Sequence, residues 1–229
     1  MTILSSRTFW ALLGLAVLML AVQEFSWHAM WRGMAGLRGD AEAQGRLAGS
    51  LPSTTGMFLH MVTGGLVTRF AVIQLAAPIR TRWPHIHRLS GRILVPLALI
   101  TAIGGLTYIA LRGTIGGPMM SVGFGLYGVL MALAAVQTLR FALARERVRH
   151  RRWGLRLIVL ALGSWIYRVH YGLLYGITCS LGEELCGLGS QSDFLGPFDI
   201  IQNLAFYAPY LLILEWYLRR GSQTSARMS

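Results

Sequence analysis

The sequence predicts an all-α integral membrane bundle of six transmembrane helices with both termini in the cytoplasm. Three observations carry this: apolar runs about twenty residues long, a shortage of charge, and arginines gathered in alternate connections. Of the 229 residues 54% are hydrophobic and 13% charged, and mean hydropathy is +0.53. A soluble domain carries about 25% charged residues, roughly twice this share. A run of about twenty apolar residues wound as a helix matches the hydrocarbon thickness of a bilayer. Lipid offers backbone amides no partner, so such runs must be helices rather than open strands.

In chain order the runs are 8–28, 56–77, 92–111, 118–141, 154–177 and 199–218. The first carries one early charge, Arg7, and no small-x-small cleavage site precedes Trp27 and Trp31, so it reads as a retained helix rather than a signal peptide. The second to fifth runs form a core bundle over about 56–177 within one domain of 1–229. Two longer connections remain: 31–55, rich in Gly, Ala and Ser and read as a surface loop or short interfacial helix, and 178–198. Trp27, Trp31, Trp83, Trp153 and Trp216 fall near run ends, as an interfacial aromatic belt would.

The net charge of +12 comes entirely from arginine, with no lysine. Taken alternately, one set of connections and ends holds fifteen arginines and the other four, Arg32, Arg38, Arg46 and Arg112. That asymmetry is the positive-inside pattern and places the basic side, with both termini, in the cytoplasm. The basic loops are expected to meet anionic inner-leaflet lipids rather than nucleic acid. Cys179 and Cys186 fall in the acidic outer connection, where an oxidising compartment permits a disulfide; two free thiols are the alternative. No doublets of cysteines with zinc spacing and no phosphate-binding glycine loop occur.

Ionisable residues inside apolar runs are costly and are candidates for function. Glu24, Arg69, Arg168 and His170 lie within runs, and His60 lies near the start of the second. At 1.5 Å per residue His60 sits about 6 Å, and His170 about 10 Å, below the outer surface. Two imidazoles on different helices at similar depth could clamp a haem iron. His87 and His150 belong instead to the basic side. Three histidines have glycine four residues on: His60 with Gly64, His87 with Gly91 and His150 with Gly154. One helical turn away on the same face, each glycine leaves a recess for a flat ring beside a ligand nitrogen. Glycine numbers 27 here, and small residues also serve close helix packing, so both readings stand.

His87-Arg88-x-x-Gly91-Arg92, with His60 and with His150-x-x-Trp153 followed by Arg156, resembles a bacterial multi-pass membrane family catalogued as domain of unknown function 2306. The resemblance covers about 55–175. It departs at Gly154, where the family pattern has methionine. The family implies a membrane fold and no established activity. A looser resemblance to cytochrome b561-type bundles implies haem b, with His60 and His170 holding an outer group and His87 and His150 an inner one. Arg88, Arg92, Arg152 and Arg156 would then pair with propionates. Three readings follow: a membrane redox protein serving a quinone or redox partner, a cofactor-free transporter or lipid- or anion-binding protein with a polar intramembrane cavity, and a metal site at the basic-side histidines. Arginines beside those histidines would repel a bare cation. A fourth reading makes these polar residues structural.

Overall fold

The computed structural model describes the backbone of residues 6–227 and the side chains of 8–220; Arg7 and Arg227 of the charge tally lie outside the described side chains. The described residues are almost all helical: α1 Ser6–Leu37, α2 Ala41–Gln44, α3 Leu51–Leu75, α4 Ala77–Arg82, α5 Pro84–Arg112, α6 Gly117–Leu143, α7 Arg147–Ser180, α8 Pro197–Ala205 and α9 Ala208–Arg227. Six segments are long and apolar enough to cross a membrane: Thr8–Leu37, Leu51–Leu75, Pro84–Arg112, Gly117–Leu143, Arg147–Ser180 and Pro197–Arg220.

The helices outrun the apolar runs for identifiable reasons. α1 continues through part of the expected 31–55 connection because Gly33 and Gly36 let it lie against Phe58 and Val62 of α3. Only 38–50 remains as a connection, with α2 capped by the Asp40 carboxylate, which accepts from the Ala43 amide at 2.9 Å. α5 begins at Pro84, a residue whose fixed φ suits a first helical turn, and so takes in His85, His87 and Arg88. α7 begins at Arg147 and takes in His150 to Trp153. The last apolar run is broken at Phe206–Tyr207, between α8 and α9, with Pro209 in the first turn of α9.

Antiparallel packing of successive spans sets the architecture. The α3–α5 seam is closest where Gly56 meets Gly104, and a methyl group at residue 104 would lie 2.5 Å from the Gly56 carbonyl oxygen. Small residues at such a seam allow backbones to approach without lipid between them. Thr101 Oγ1 donates to Thr63 Oγ1 at 2.7 Å across it, so both buried hydroxyls are satisfied. α3, α5, α6 and α7 form a ring of four: α3 and α6 each pack against both α5 and α7, which puts α5 and α7 on the diagonal. The ring interior is filled by Val67, Ala71, Leu94, Ala98, Met131, Ala135, Leu157 and Leu160. α1 flanks α3 from outside the ring, and α8 with α9 flank α6 and α7.

This order sends 76–92, 140–156 and the end of α9 to one end of the bundle, which therefore carries most of the arginines. The opposite end carries the 181–196 connection, which a disulfide ties from Cys186 to Cys179 in the last turn of α7. Asp199, fully buried, accepts there from Tyr171 Oη at 2.6 Å, Ser190 Oγ at 2.8 Å, the Gln191 amide at 2.9 Å and the Gly196 amide at 3.0 Å. One carboxylate thus ties the connection to α7 and to the start of α8.

Candidate functional site

At the arginine-rich end the ring of four opens into a cavity of about 790 Å³. That volume is in the range of small-molecule and cofactor sites, roughly 300–1,000 Å³. Its deeper wall is apolar, from Leu94, Val95, Leu99, Leu139, Leu157 and Ile158. Its polar groups are Gln74 at the end of α3, Arg80 on α4, His87, Arg88 and Arg92 on α5, Thr138 on α6, and His150 and Arg151 on α7. Chain entry by arginine-bearing first turns explains this polarity: α5 and α7 both start at this end, and their apolar residues follow one or two turns later.

His87 and His150 line this cavity from the two diagonal helices, with Gly91 and Gly154 in the same walls. A side chain at Gly154 would meet nothing nearer than Thr138 Cγ2 at 4.0 Å, and one at Gly91 nothing nearer than Gln74 Nε2 at 3.4 Å. Gly154 is thus the roomier of the two, and Gly91 is in ordinary contact with Gln74. The carbonyl oxygen of Thr138 lies 3.0 Å from His150 Nδ1. A carbonyl only accepts, so Nδ1 carries a proton, and in the neutral ring Nε2 is the nitrogen with the free lone pair. His87 is held through its backbone: its carbonyl accepts from Gln74 Nε2 at 2.9 Å, and the same amide donates to Ser90 Oγ at 2.8 Å. The His87 Nδ1 atom is buried without a hydrogen-bond partner. His85, two residues back, is exposed and outside the cavity.

The arginines divide differently from the sequence expectation. Arg88 and Arg92 line the cavity, but Arg152 and Arg156 face α9. Arg156 makes a bidentate pair with Glu215, Nε to Oε1 at 2.5 Å and Nη2 to Oε2 at 2.9 Å, and its guanidinium lies 4.5 Å from the Trp153 ring centroid. Arg152 Nη2 donates to the Leu218 carbonyl at 3.0 Å. Their places are taken by Arg80 and Arg151. The helical period explains the exchange once α7 is known to begin at Arg147. Arg151, Gly154, Leu155 and Ile158 form one i, i+3, i+4, i+7 stripe, while Arg152 and Arg156 form another. Gln74 left no signal in the sequence, being a polar residue at the end of an apolar run.

His60 and His170 are not brought to a common cavity. His60 Nδ1 donates to the Thr101 carbonyl at 2.8 Å, and its ring packs against Gly105 of α5. Gly64 contacts Thr101 rather than opening a recess for a ring. Both nitrogens of His170 are engaged with the flanking helices, Nδ1 with the Gln202 side-chain amide at about 3.0 Å and Nε2 with Tyr210 Oη at 2.8 Å. An outer group clamped between these two imidazoles has no ligand atom left on His170. Glu24 is on an exposed face of α1. Arg69 has buried Nε and Nη2 atoms without hydrogen-bond partners. Arg168 donates to the Ser164 carbonyl at 2.9 Å and lies over Phe25 at 4.4 Å, beside a smaller cavity of about 340 Å³ lined by Tyr167, Tyr171, Tyr175, Ser190, Ser192 and Phe194 among others. Among the described residues no three His, Cys, Asp or Glu side chains cluster as a metal site would require.

The family model of the predicted membrane proteins DUF2306 matches residues 57–183, from the second turn of α3 to just beyond α7. The chain belongs to that family. The matched stretch contains the ring of four from the second turn of α3 onward and every cavity residue. α1, α8 and α9, including the Glu215 that holds Arg156, lie outside it. No curated protein and no solved structure shows significant similarity to the chain.

Proposed function

We propose that this DUF2306 protein is a b-type haem electron-transfer protein of the bacterial inner membrane, with one haem in the cavity at the arginine-rich end. The observation that carries the reading is the pairing of His87 and Gly91 on α5 with His150 and Gly154 on α7 across one cavity. The residues fit the group on three further counts. His150 presents an Nε2 lone pair because its other nitrogen is committed to Thr138. The deeper wall is apolar, as a macrocycle requires. Arg80, Arg88, Arg92 and Arg151 stand at the polar rim, where guanidinium groups pair with carboxylates. Bound there, haem b supplies a one-electron iron couple tuned by axial ligands and their hydrogen bonds.

The protein's own residues do the positioning. Imidazoles on α5 and α7 would hold the group across the diagonal, and Gly91 and Gly154 add no side chain to the cavity walls there. The apolar wall excludes water, and the arginines fix the anionic edge toward the headgroups. On the positive-inside pattern this edge faces the cytoplasm, where anionic lipids meet the remaining arginines. A quinone in the bilayer or a redox partner at the basic face would be the electron's other carrier.

The test is an absorption spectrum of the full-length protein purified in detergent from haem-replete cells, oxidised and then reduced with dithionite. The expected result is the sharp reduced band of a b-type haem, lost in the His87→Ala, His150→Ala double variant. It should persist when His60 and His170 are both replaced. A flat visible spectrum rejects the haem reading. It would leave the cavity as the site of a cofactor-free amphipathic anion, lipid or transported, with its apolar part inward and its charge on the arginines.

A further inference from the structure

The two cavity histidines are held in different ways, and this bears on how a bound group would be ligated. A histidine that binds metal almost always donates its other ring N–H to a carbonyl, carboxylate or water, which sets the tautomer and the ring plane. His150 satisfies this rule through the Thr138 carbonyl at 3.0 Å, on the neighbouring helix. That contact also fixes the imidazole relative to the α6–α7 seam, where Gly154 approaches Thr138. His87 does not satisfy it. Its Nδ1 is buried and has no partner, so nothing orients the ring and nothing compensates the buried N–H in the tautomer that frees Nε2. Its polar neighbours across the cavity are cationic or amide groups: Arg80, Arg88, and a Gln74 amide already spent on the His87 carbonyl and Ser90 Oγ. The Gln74 amide nitrogen is turned to these two oxygens, and no side chain accepts from Nδ1.

We infer that the cavity binds haem asymmetrically: His150 is the permanent axial ligand, and His87 is an exchangeable one that yields its place to a small neutral ligand such as carbon monoxide. The inference rests on the haem reading above. The exchange is one for one. The bond from His87 Nε2 to ferrous iron breaks as the bond to the incoming carbon forms, and no electron or proton leaves. Gly91 assists, because it lines the cavity one helical turn from His87 and adds no side chain where the displaced ring would move. Such a site would bind diatomic ligands as well as carry electrons, a capacity that a pair of equally anchored histidines would suppress.

The experiment uses the full-length, haem-loaded protein in detergent, reduced with dithionite and exposed to carbon monoxide, with the Soret region followed over time. The expected result is a complete spectral shift within minutes. His87→Ala should retain haem and bind carbon monoxide at least tenfold faster, because the competing nitrogen is gone. His150→Gly should lose haem by more than the roughly 10–100-fold that removal of a ligand's outer partner costs, because the ligand itself is gone. Added imidazole should restore haem to this variant, which shows that it has folded. A reduced protein that ignores carbon monoxide for hours, or haem lost equally from both variants, overturns the asymmetry and leaves the haem reading standing. A flat visible spectrum in the parent protein overturns the haem reading, and this inference with it.

Discussion

The contact between Arg156 and Glu215 separates two accounts of the arginine-rich end. If Arg156 belonged to the ligand, its removal would weaken the cavity and Glu215 would matter little. The structure commits it to α9 instead, through two charge-assisted hydrogen bonds of 2.5 and 2.9 Å. The side chains of Arg156 and Glu215 are 21% and 33% exposed, neither dry nor freely solvated. Hydrogen bonds to charged groups contribute about 1.5–3 kcal/mol, and exposed ion pairs about 0.2–1 kcal/mol. A half-buried bidentate pair falls between, so a double-mutant cycle of Arg156→Ala and Glu215→Ala should give a coupling of about 1.5 kcal/mol. That is about tenfold in the unfolding constant. Each single variant should cost more than the coupling alone, because it strands a half-buried charge. The assay is unfolding in mixed detergent micelles by SDS titration, with ligand occupancy measured on the same samples. Coupling within error of zero, or a loss of occupancy in Arg156→Ala that Glu215→Ala does not share, would refute the assignment.

Two glycines test the packing in opposite directions. Gly154→Ala places a methyl group in open space and should raise helix stability by up to about 1 kcal/mol, whereas Gly104→Ala presses against the Gly56 carbonyl and should cost about 1–3 kcal/mol in the same SDS titration. Equal effects would mean that the α3–α5 seam is looser than described. Asp199→Ala strands four donors at once, so limited proteolysis within 181–196 should accelerate at least tenfold while the disulfide remains. Unchanged cleavage would mean that the disulfide alone orders this connection.

Much of the fold was legible because lipid imposes one rule on every span. A backbone with no access to water must be helical, so run length alone announces six crossings. Arginine placement sorts the connections into two ends for the same reason: a guanidinium is costly inside and gathers outside. The pairing of His87 with Gly91 and of His150 with Gly154 follows from the helical period, which places residues four apart on one face. Those inferences need only local geometry.

What lay beyond the sequence depends on neighbours that are distant along the chain. That α5 and α7 stand on a diagonal, and so bring His87 and His150 to one cavity, follows from how four helices close into a ring. His170 reads as a ligand in isolation and is occupied only because the break at Phe206–Tyr207 lets both α8 and α9 reach it, with Gln202 and Tyr210. Arg152 and Arg156 look like partners of His150 by proximity in sequence, yet the start of α7 at Arg147 turns them to α9 and turns Arg151 to the cavity. Composition and periodicity determined that this chain is a helical membrane protein and which faces carry chemistry. Which faces meet was decided by packing, because a side chain's partners are set by where helices end and which helix lies opposite.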